Sequence, residues 1–149
     1  MSDNRSRAAE ELLTLVLRGC GAILCLSFLA VLLPTSWMGA IHRQLEVGAF
    51  PESFLVEYLT RSISALYGVH GVLYFVLAKD VRRYAPVITY IAWSTIAFGV
   101  ILLGIDFLAG APWYWTLLEG PGIVLFGGLY LVLVRRVDGL EVPSVNNAG

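Results

Sequence analysis

Four apolar stretches, each long enough to cross a bilayer as a helix, constrain this chain more than any other feature. A helix that spans the hydrocarbon core needs about 20 mostly apolar residues. The four stretches lie at residues 12–33, 55–78, 86–106 and 113–134. We therefore predict an all-α polytopic integral membrane protein, built as a bundle of four transmembrane helices.

The composition supports a lipid environment for these stretches. Charged residues make up 14% of the chain and hydrophobic residues 58%, whereas an ordinary soluble domain carries about 25% charged residues. A soluble fold would leave much of this apolar material uncovered, while the lipid-facing surface of a helix bundle needs no polar coat. The net charge of -1 provides no basic excess for phosphate groups, which argues against a nucleic-acid partner.

The basic residues are distributed unevenly around the four stretches and indicate the orientation of the chain. Two arginines precede the first stretch, three basic residues separate the second from the third, and two arginines follow the fourth. These residues are Arg5, Arg7, Lys79, Arg82, Arg83, Arg135 and Arg136. Because Lys and Arg accumulate on the cytoplasmic side of a membrane, we predict that both termini are cytoplasmic and that the protein resides in the plasma (inner) membrane.

The segments outside the spans complete the domain organisation. Residues 1–11 are predicted to be a cytoplasmic N-terminus that leads directly into the first span. A single transmembrane domain then covers residues 12–136. Residues 137–149 are rich in Asn, Gly and Pro and are predicted to be a flexible cytoplasmic tail.

The first outer loop contains a helical pattern of its own. Trp37, Ile41 and Leu45 recur every four residues, which places them on one face of a helix. Such an amphipathic segment is typical of a helix that lies in the membrane interface. We therefore predict a short interfacial helix at residues 36–47, with Ser36 as its N-cap and a glycine at position 48 as its stop.

Small residues in the spans predict where the helices pack. Ser64, Gly68 and Gly71 follow one face of the second span, and Gly99 lies on a comparable face of the third. Small residues allow helix backbones to approach closely in lipid. In the fourth span, Pro121 has no N–H to donate to the preceding turn, so we expect the helix to kink or restart there.

Four charged residues near the outer ends of the spans form the main candidate site. Glu57 and Arg61 are four residues apart on one face of the second span, Asp106 closes the third span, and Glu119 lies early in the fourth. Counted from the cytoplasmic arginines at about 1.5 Å per residue, they occupy one level in the membrane. Ionisable groups at this depth seek partners, so we predict that Arg61 contacts Asp106 or Glu119.

This candidate site has two interpretations. In the functional one, the acidic groups line an outward-facing polar pocket for a cation, a proton or a polar headgroup. In the structural one, the carboxylates reach water and Arg61 pairs with one of them to lock the helices together. Glu57 is assigned to the structural interpretation because residues near helix ends extend towards water. Both interpretations stay open for Arg61, Asp106 and Glu119.

Two further ionisable residues are secondary candidates. Arg18 lies close to the cytoplasmic boundary, where its long side chain reaches the headgroups. His70 lies deeper, but the only other histidine, His42, is in the outer loop and does not supply the second axial ligand that a b-type haem usually needs. A hydrogen bond from His70 across helices is the preferred interpretation. Cys20 and Cys25 are predicted to be buried apolar residues, and we expect no metal and no cofactor.

The sequence carries no motif for nucleotide binding, serine hydrolysis, zinc peptidase activity or thiol redox chemistry. The primary hypothesis is a non-catalytic accessory, scaffold or lipid-binding module. Such a module would bind membrane lipids, and it could also assemble as a homo-oligomer or within a larger membrane complex. One alternative is a small oligomeric transporter or channel with Arg61, Asp106 and Glu119 at an acidic outer vestibule. The other is a membrane enzyme acting on a lipid or quinone at the outer leaflet.

Overall fold

Helices form nearly all of the chain that the structure describes. The computed structural model describes residues 2–45, 51 and 53–138. Within these ranges it has five helices and no strand, which confirms the all-α prediction. The helices are α1 (Ser2–Leu32), α2 (Thr35–Gln44), α3 (Phe54–Leu77), α4 (Ala85–Ala109) and α5 (Trp113–Asp138).

Three of these helices contain segments long and apolar enough to cross a membrane. The segments are Ser6–Leu32 within α1, the whole of α4, and Trp113–Val137 within α5. They support the predicted membrane location. The fourth long helix, α3, has 24 residues but carries Arg61 and His70 among its apolar side chains and lies outside this group.

The short helix α2 is present where the four-residue pattern predicts it. It begins at Thr35, directly after Pro34, whose carbonyl accepts hydrogen bonds from the backbone N–H groups of Trp37 at 3.0 Å and Met38 at 3.3 Å. No side chain caps this helix, so the predicted N-cap at Ser36 is wrong, because the helix starts one residue earlier. The predicted end of this helix beyond residue 45, with its stop at position 48, lies outside the described residues.

One antiparallel pair consists of α1 and α3, which pack through small residues. The backbones meet at Gly21 and Gly71, where a Cβ on Gly71 would lie 2.7 Å from the Gly21 carbonyl oxygen. About two helical turns from this contact on each helix, the Ser27 hydroxyl donates to the Ser64 carbonyl at 2.8 Å. These contacts agree with the predicted small-residue face of the second span and bring the two backbones together in lipid.

The second antiparallel pair consists of α4 and α5 and uses the same kind of contact. A Cβ on Gly99 would lie 2.7 Å from the Gly120 carbonyl oxygen, and a Cβ on Gly127 would lie 2.8 Å from that of Ala92. The helix α5 runs through Pro121 without a break. The predicted restart at this proline is therefore wrong, and its alternative, a kink, stays a prediction. The glycine contacts on both sides of Pro121 hold α5 against α4.

The hydrophobic core lies at one end of the bundle, where α1 begins, α3 turns into α4, and α5 ends. The rings of Tyr74 and Tyr130 pack edge-on in this core, with centroids 6.0 Å apart. The largest fully buried side chains here are Leu13, Leu17, Leu77, Ile88, Tyr130, Leu133, Val134 and Val137. We call this half of the bundle the closed end. It is also the half that carries the basic residues expected to face the cytoplasm.

The opposite half has little core of its own, and we call it the open end. It contains α2, the start of α3, the end of α4 and the start of α5. Within the described ranges, Met38 of α2 is the one large apolar side chain of this half that is buried. Towards this end, α4 and α5 stay in close backbone contact at Gly99 and Gly120, whereas residues of all four long helices share the core of the closed end.

Candidate functional site

The Arg61 guanidinium lies at the end of α1. Its Nη1 donates to the carbonyl of Val31, and its Nη2 donates to the carbonyl of Leu33 at 3.1 Å. The last carbonyls of a helix have no donor within the helix, and positive charge is favourable beside them because the helix dipole is negative at this end. Arg61 therefore caps the C-terminus of α1 from the neighbouring helix.

Glu57 holds the guanidinium in this position. Its Oε1 accepts hydrogen bonds from Nε and Nη2 of Arg61, at 3.1 and 2.9 Å. The same oxygen accepts from the Thr35 hydroxyl at 3.2 Å. We call this group the Arg61 cap; it comprises Val31, Leu33, Thr35, Glu57 and Arg61. It fastens the end of α1 and the start of α2 to α3, whereas the sequence predicted for Glu57 only that its side chain extends towards water.

The predicted contact from Arg61 to Asp106 or Glu119 is replaced by this cap. Arg61 belongs to the α1–α3 pair, whereas both carboxylates belong to the α4–α5 pair. The core joins the two pairs at the closed end. At the open end, two side chains at the same depth can therefore lie on different helix pairs and not touch. Arg61 is therefore separate from both carboxylates.

Glu119 is engaged within α5. Its Oε2 accepts a hydrogen bond from the indole Nε1 of Trp115 at 2.6 Å, one helical turn earlier. Tyr67 of α3 lies close enough to Glu119 for the two side chains to interact electrostatically. Tyr67 and Glu119 belong to different helix pairs of the open end.

Asp106 differs from the other carboxylates in being buried without a complete set of partners. Asp106 as a whole residue is 7% exposed, and its Oδ2 has no hydrogen-bond partner among the described residues. Its backbone carbonyl accepts from the N–H of Ala111 at 3.0 Å, where Gly110 turns the chain with a φ of 69°. A positive φ of this kind favours glycine. The Asp106 carboxylate therefore sits at the tight connection between α4 and α5.

Thr116 is the second buried polar residue at this connection. It is 7% exposed, and its hydroxyl donates to the Pro112 carbonyl at 3.4 Å. In the antiparallel register, Gly120 packs between Gly99 and Leu103, so Asp106 and Thr116 lie within about one residue of the same level of the α4–α5 pair.

The secondary candidates lie on the outer surface of the bundle. His70 is exposed, and its Nδ1 is 3.0 Å from the carbonyl oxygen of Leu66 in the same helix. The hydrogen bond is thus local, unlike the predicted bond across helices. Arg18 is exposed on α1 beside Glu11 and Thr14, in a shallow surface groove, an arrangement that lets its side chain extend to headgroups.

A polar cluster that sequence reasoning missed lies at the edge of the core. Tyr74 of α3 interacts with Thr95 of α4 and Tyr130 of α5, and Tyr130 interacts with Cys20 of α1. Each of the four long helices contributes one residue to this group, which we call the four-helix cluster. The only signal in the sequence is that each of these polar residues stands within an apolar stretch, which does not tell which helices meet.

The described residues contain no group of three or more His, Cys, Asp or Glu side chains arranged to hold a metal ion. Comparison of the chain with protein-family profiles, curated proteins and solved structures finds no match. The function is therefore argued from the geometry of the chain itself.

Proposed function

We propose that the chain crosses the membrane four times, with α3 as the additional span. α3 packs antiparallel along α1, from the Arg61 cap to the contact between Gly21 and Gly71. It thereby covers the same depth as a helix apolar enough to cross. Its 24 residues extend about 36 Å at 1.5 Å per residue, which exceeds the hydrocarbon thickness of about 30 Å. Arg61 is the one Lys or Arg residue of α3, and its charge lies at the membrane boundary, within the Arg61 cap.

With four spans, both termini lie on the side that carries the basic residues, which we assign to the cytoplasm. Single cysteines introduced as Asp3→Cys and Val145→Cys, in a background where Cys20 and Cys25 are serine, test this orientation. Both cysteines should react with a membrane-impermeant maleimide only after the cells are permeabilised, which gives the reagent access to the cytoplasm. Labelling of either position in intact cells would contradict the four-span topology.

Within this topology we infer a non-catalytic membrane module that binds lipid at its open end. The observation that carries the inference is the change of exposure along one face of α3. Tyr74 and Tyr67 are seven residues apart and therefore share that face, yet Tyr74 is 8% exposed and Tyr67 is 39% exposed. We infer from this difference in exposure that the helix pairs pack together at Tyr74 and lie farther apart at Tyr67.

A gap between helix pairs inside a bilayer is filled by the surrounding apolar medium. Protein interiors are close-packed and leave few large voids, and water is excluded from the hydrocarbon layer. Phospholipid acyl chains are the apolar groups present in excess at this depth. We propose that an acyl chain occupies the gap beside Tyr67, with the aromatic ring as part of its wall.

The charged groups of the open end support a non-catalytic role. Arg61 is engaged by Glu57 and two carbonyls, and Glu119 by the indole of Trp115. Groups held in this way stabilise helix ends and are not poised to transfer protons to a substrate.

Native mass spectrometry of the protein released from lipid nanodiscs tests the lipid-binding function. The wild-type chain should retain at least one phospholipid. Tyr67→Ala should reduce the retained fraction by about 3–10-fold, because it removes roughly 1 kcal/mol of aromatic contact. Leu66→Ala is the matched control, since Leu66 is adjacent in sequence and exposed on another face of α3. An empty wild-type protein, or equal losses in both variants, would contradict the proposal.

A second candidate function is a small oligomeric transporter, and it is favoured by the unpartnered Oδ2 of Asp106. Four helices enclose little space, so a pore would require several copies. Sodium or proton flux into proteoliposomes distinguishes this candidate. Flux above that of protein-free vesicles that is abolished by Asp106→Asn would favour the transporter over the lipid-binding module.

A further inference from the structure

We propose that Asp106 is the centre of a monovalent-cation site between the last turn of α4 and the first turn of α5. The proposal rests on the burial of this carboxylate and the missing hydrogen-bond partner of its Oδ2. It stands independently of lipid binding at the open end, because the site lies within the α4–α5 pair.

Asp106 is a buried carboxylate without a charged partner among the described residues. Burying a charge is costly unless the charge is paired, and the negative end of the α4 dipole adds to this cost. A cation beside the carboxylate removes both penalties. Among the described residues no basic side chain forms an ion pair with Asp106, so the countercharge is assigned to a bound ion.

The ligand groups available at this point are oxygen atoms. Asp106 supplies a carboxylate oxygen, and Thr116 lies at the same level, with a hydroxyl that donates to the Pro112 carbonyl and keeps its lone pairs free. In the last turn of α4, the carbonyls of Asp106 and Phe107 accept from Ala111 and Gly110. The carbonyls of the two residues that follow, Leu108 and Ala109, have no donor within the helix. Carboxylates, hydroxyls and the C-terminal ends of interrupted helices are typical of sodium sites in membrane proteins.

The charge of the site selects a monovalent ion. Asp106 contributes one negative charge, which one sodium or potassium ion neutralises. A divalent ion would leave a net positive charge buried in a low-dielectric region. Glu119 lies one turn further along α5 and is engaged by Trp115, so it is not a ligand and serves as a matched control.

Thermal unfolding of the detergent-purified full chain tests the site. Sodium chloride is titrated against N-methylglucamine chloride, so that the total chloride and ionic strength stay constant. Sodium at about 100 times its Kd should raise the Tm of the wild-type chain by roughly 5 °C, since binding to the folded state alone stabilises it. Asp106→Asn should abolish this rise, Thr116→Val should shift the half-saturating sodium concentration at least about tenfold, and Glu119→Gln should keep the wild-type response.

Equilibrium binding of radioactive sodium to the wild-type protein provides a second readout that does not depend on the stability of the variants. Saturable binding of one ion per chain, displaced by excess unlabelled sodium, is the expected result. The proposal is overturned if the wild-type chain binds no sodium, if Asp106→Asn retains the sodium-dependent rise in Tm, or if the Tm responds to pH and not to sodium, which would mean that a proton alone neutralises Asp106.

Discussion

The two ends of the bundle use similar residues and reach opposite states of packing. At the closed end, residues from all four long helices meet in the four-helix cluster and the core beside it. At the open end, the Arg61 cap stays within the α1–α3 pair and the bond between Trp115 and Glu119 stays within α5. One hydrogen bond there, from the Tyr114 hydroxyl to the Leu45 carbonyl at 3.2 Å, joins α5 to the end of α2. Helices associate in lipid through close packing and interhelical hydrogen bonds. We infer that the open end, which lacks a shared apolar core among the described residues, is the end that lipid enters.

The sharpest test of this difference is the removal of one tyrosine from each end. Tyr130→Ala should lower the free energy of unfolding by about 3–5 kcal/mol, because it leaves a cavity in a close-packed core. Tyr67→Ala should cost less than about 1 kcal/mol, because Tyr67 borders the open gap. Unfolding of both variants in mixed micelles, followed by circular dichroism, measures the two values. Equal losses would mean that the ends do not differ.

The Arg61 cap tests whether the open end is held together within one pair. Arg61→Ala should cost about 2–3 kcal/mol, since it removes charge-assisted hydrogen bonds to two carbonyls and Glu57. Arg61→Lys should restore only part of this, because an ammonium does not reproduce the planar fork of donors. A double-mutant cycle should give a coupling energy of about 1 kcal/mol with Glu57→Gln and near zero with Asp106→Asn. Strong coupling to Asp106 would join the two pairs at the open end.

The glycine contacts test whether the α1–α3 pair is held by its own backbone packing. Gly71→Ala should cost about 1–3 kcal/mol, because the added Cβ would meet backbone atoms of α1 at 2.7 and 2.8 Å. Gly104→Ala is the control, since nothing lies within 4 Å of its added Cβ. This control should be neutral or slightly stabilising in a helix. A neutral Gly71→Ala would show that the pair is looser than described.

The smallest effect is expected from the ion pair at the closed end. Arg82 Nε lies 2.8 Å from Glu10 Oε2, and both side chains are partly exposed. Surface ion pairs of this kind contribute about 0–1 kcal/mol, so Arg82→Gln should change the free energy of unfolding by no more than this. A larger loss would show that charge, in addition to the core, holds the closed end together.

The sequence predicts the helices well because hydrophobic run length and four-residue periodicity are local properties. The positions of α2, α3, α4 and α5 follow from such patterns, whereas α1 begins at Ser2, well before the predicted start at residue 12. The partner of Arg61 does not follow from such patterns. Depth in the membrane gives the level of a side chain, but it does not say which neighbouring helix the side chain faces. A guanidinium also finds acceptors in backbone carbonyls, which no residue type marks. The four-helix cluster was missed for the same reason: it depends on which helices meet.

The central claim is that the helix pairs are packed together at Tyr74 and separated by lipid at Tyr67. Photo-cross-linking tests it directly, with benzoylphenylalanine replacing Tyr67 or Tyr74 in separate variants that are irradiated in native membranes and analysed by intact mass. The account predicts phospholipid adducts from position 67 and cross-links within the protein from position 74. Cross-links within the protein from both positions, or lipid adducts from both, would contradict it.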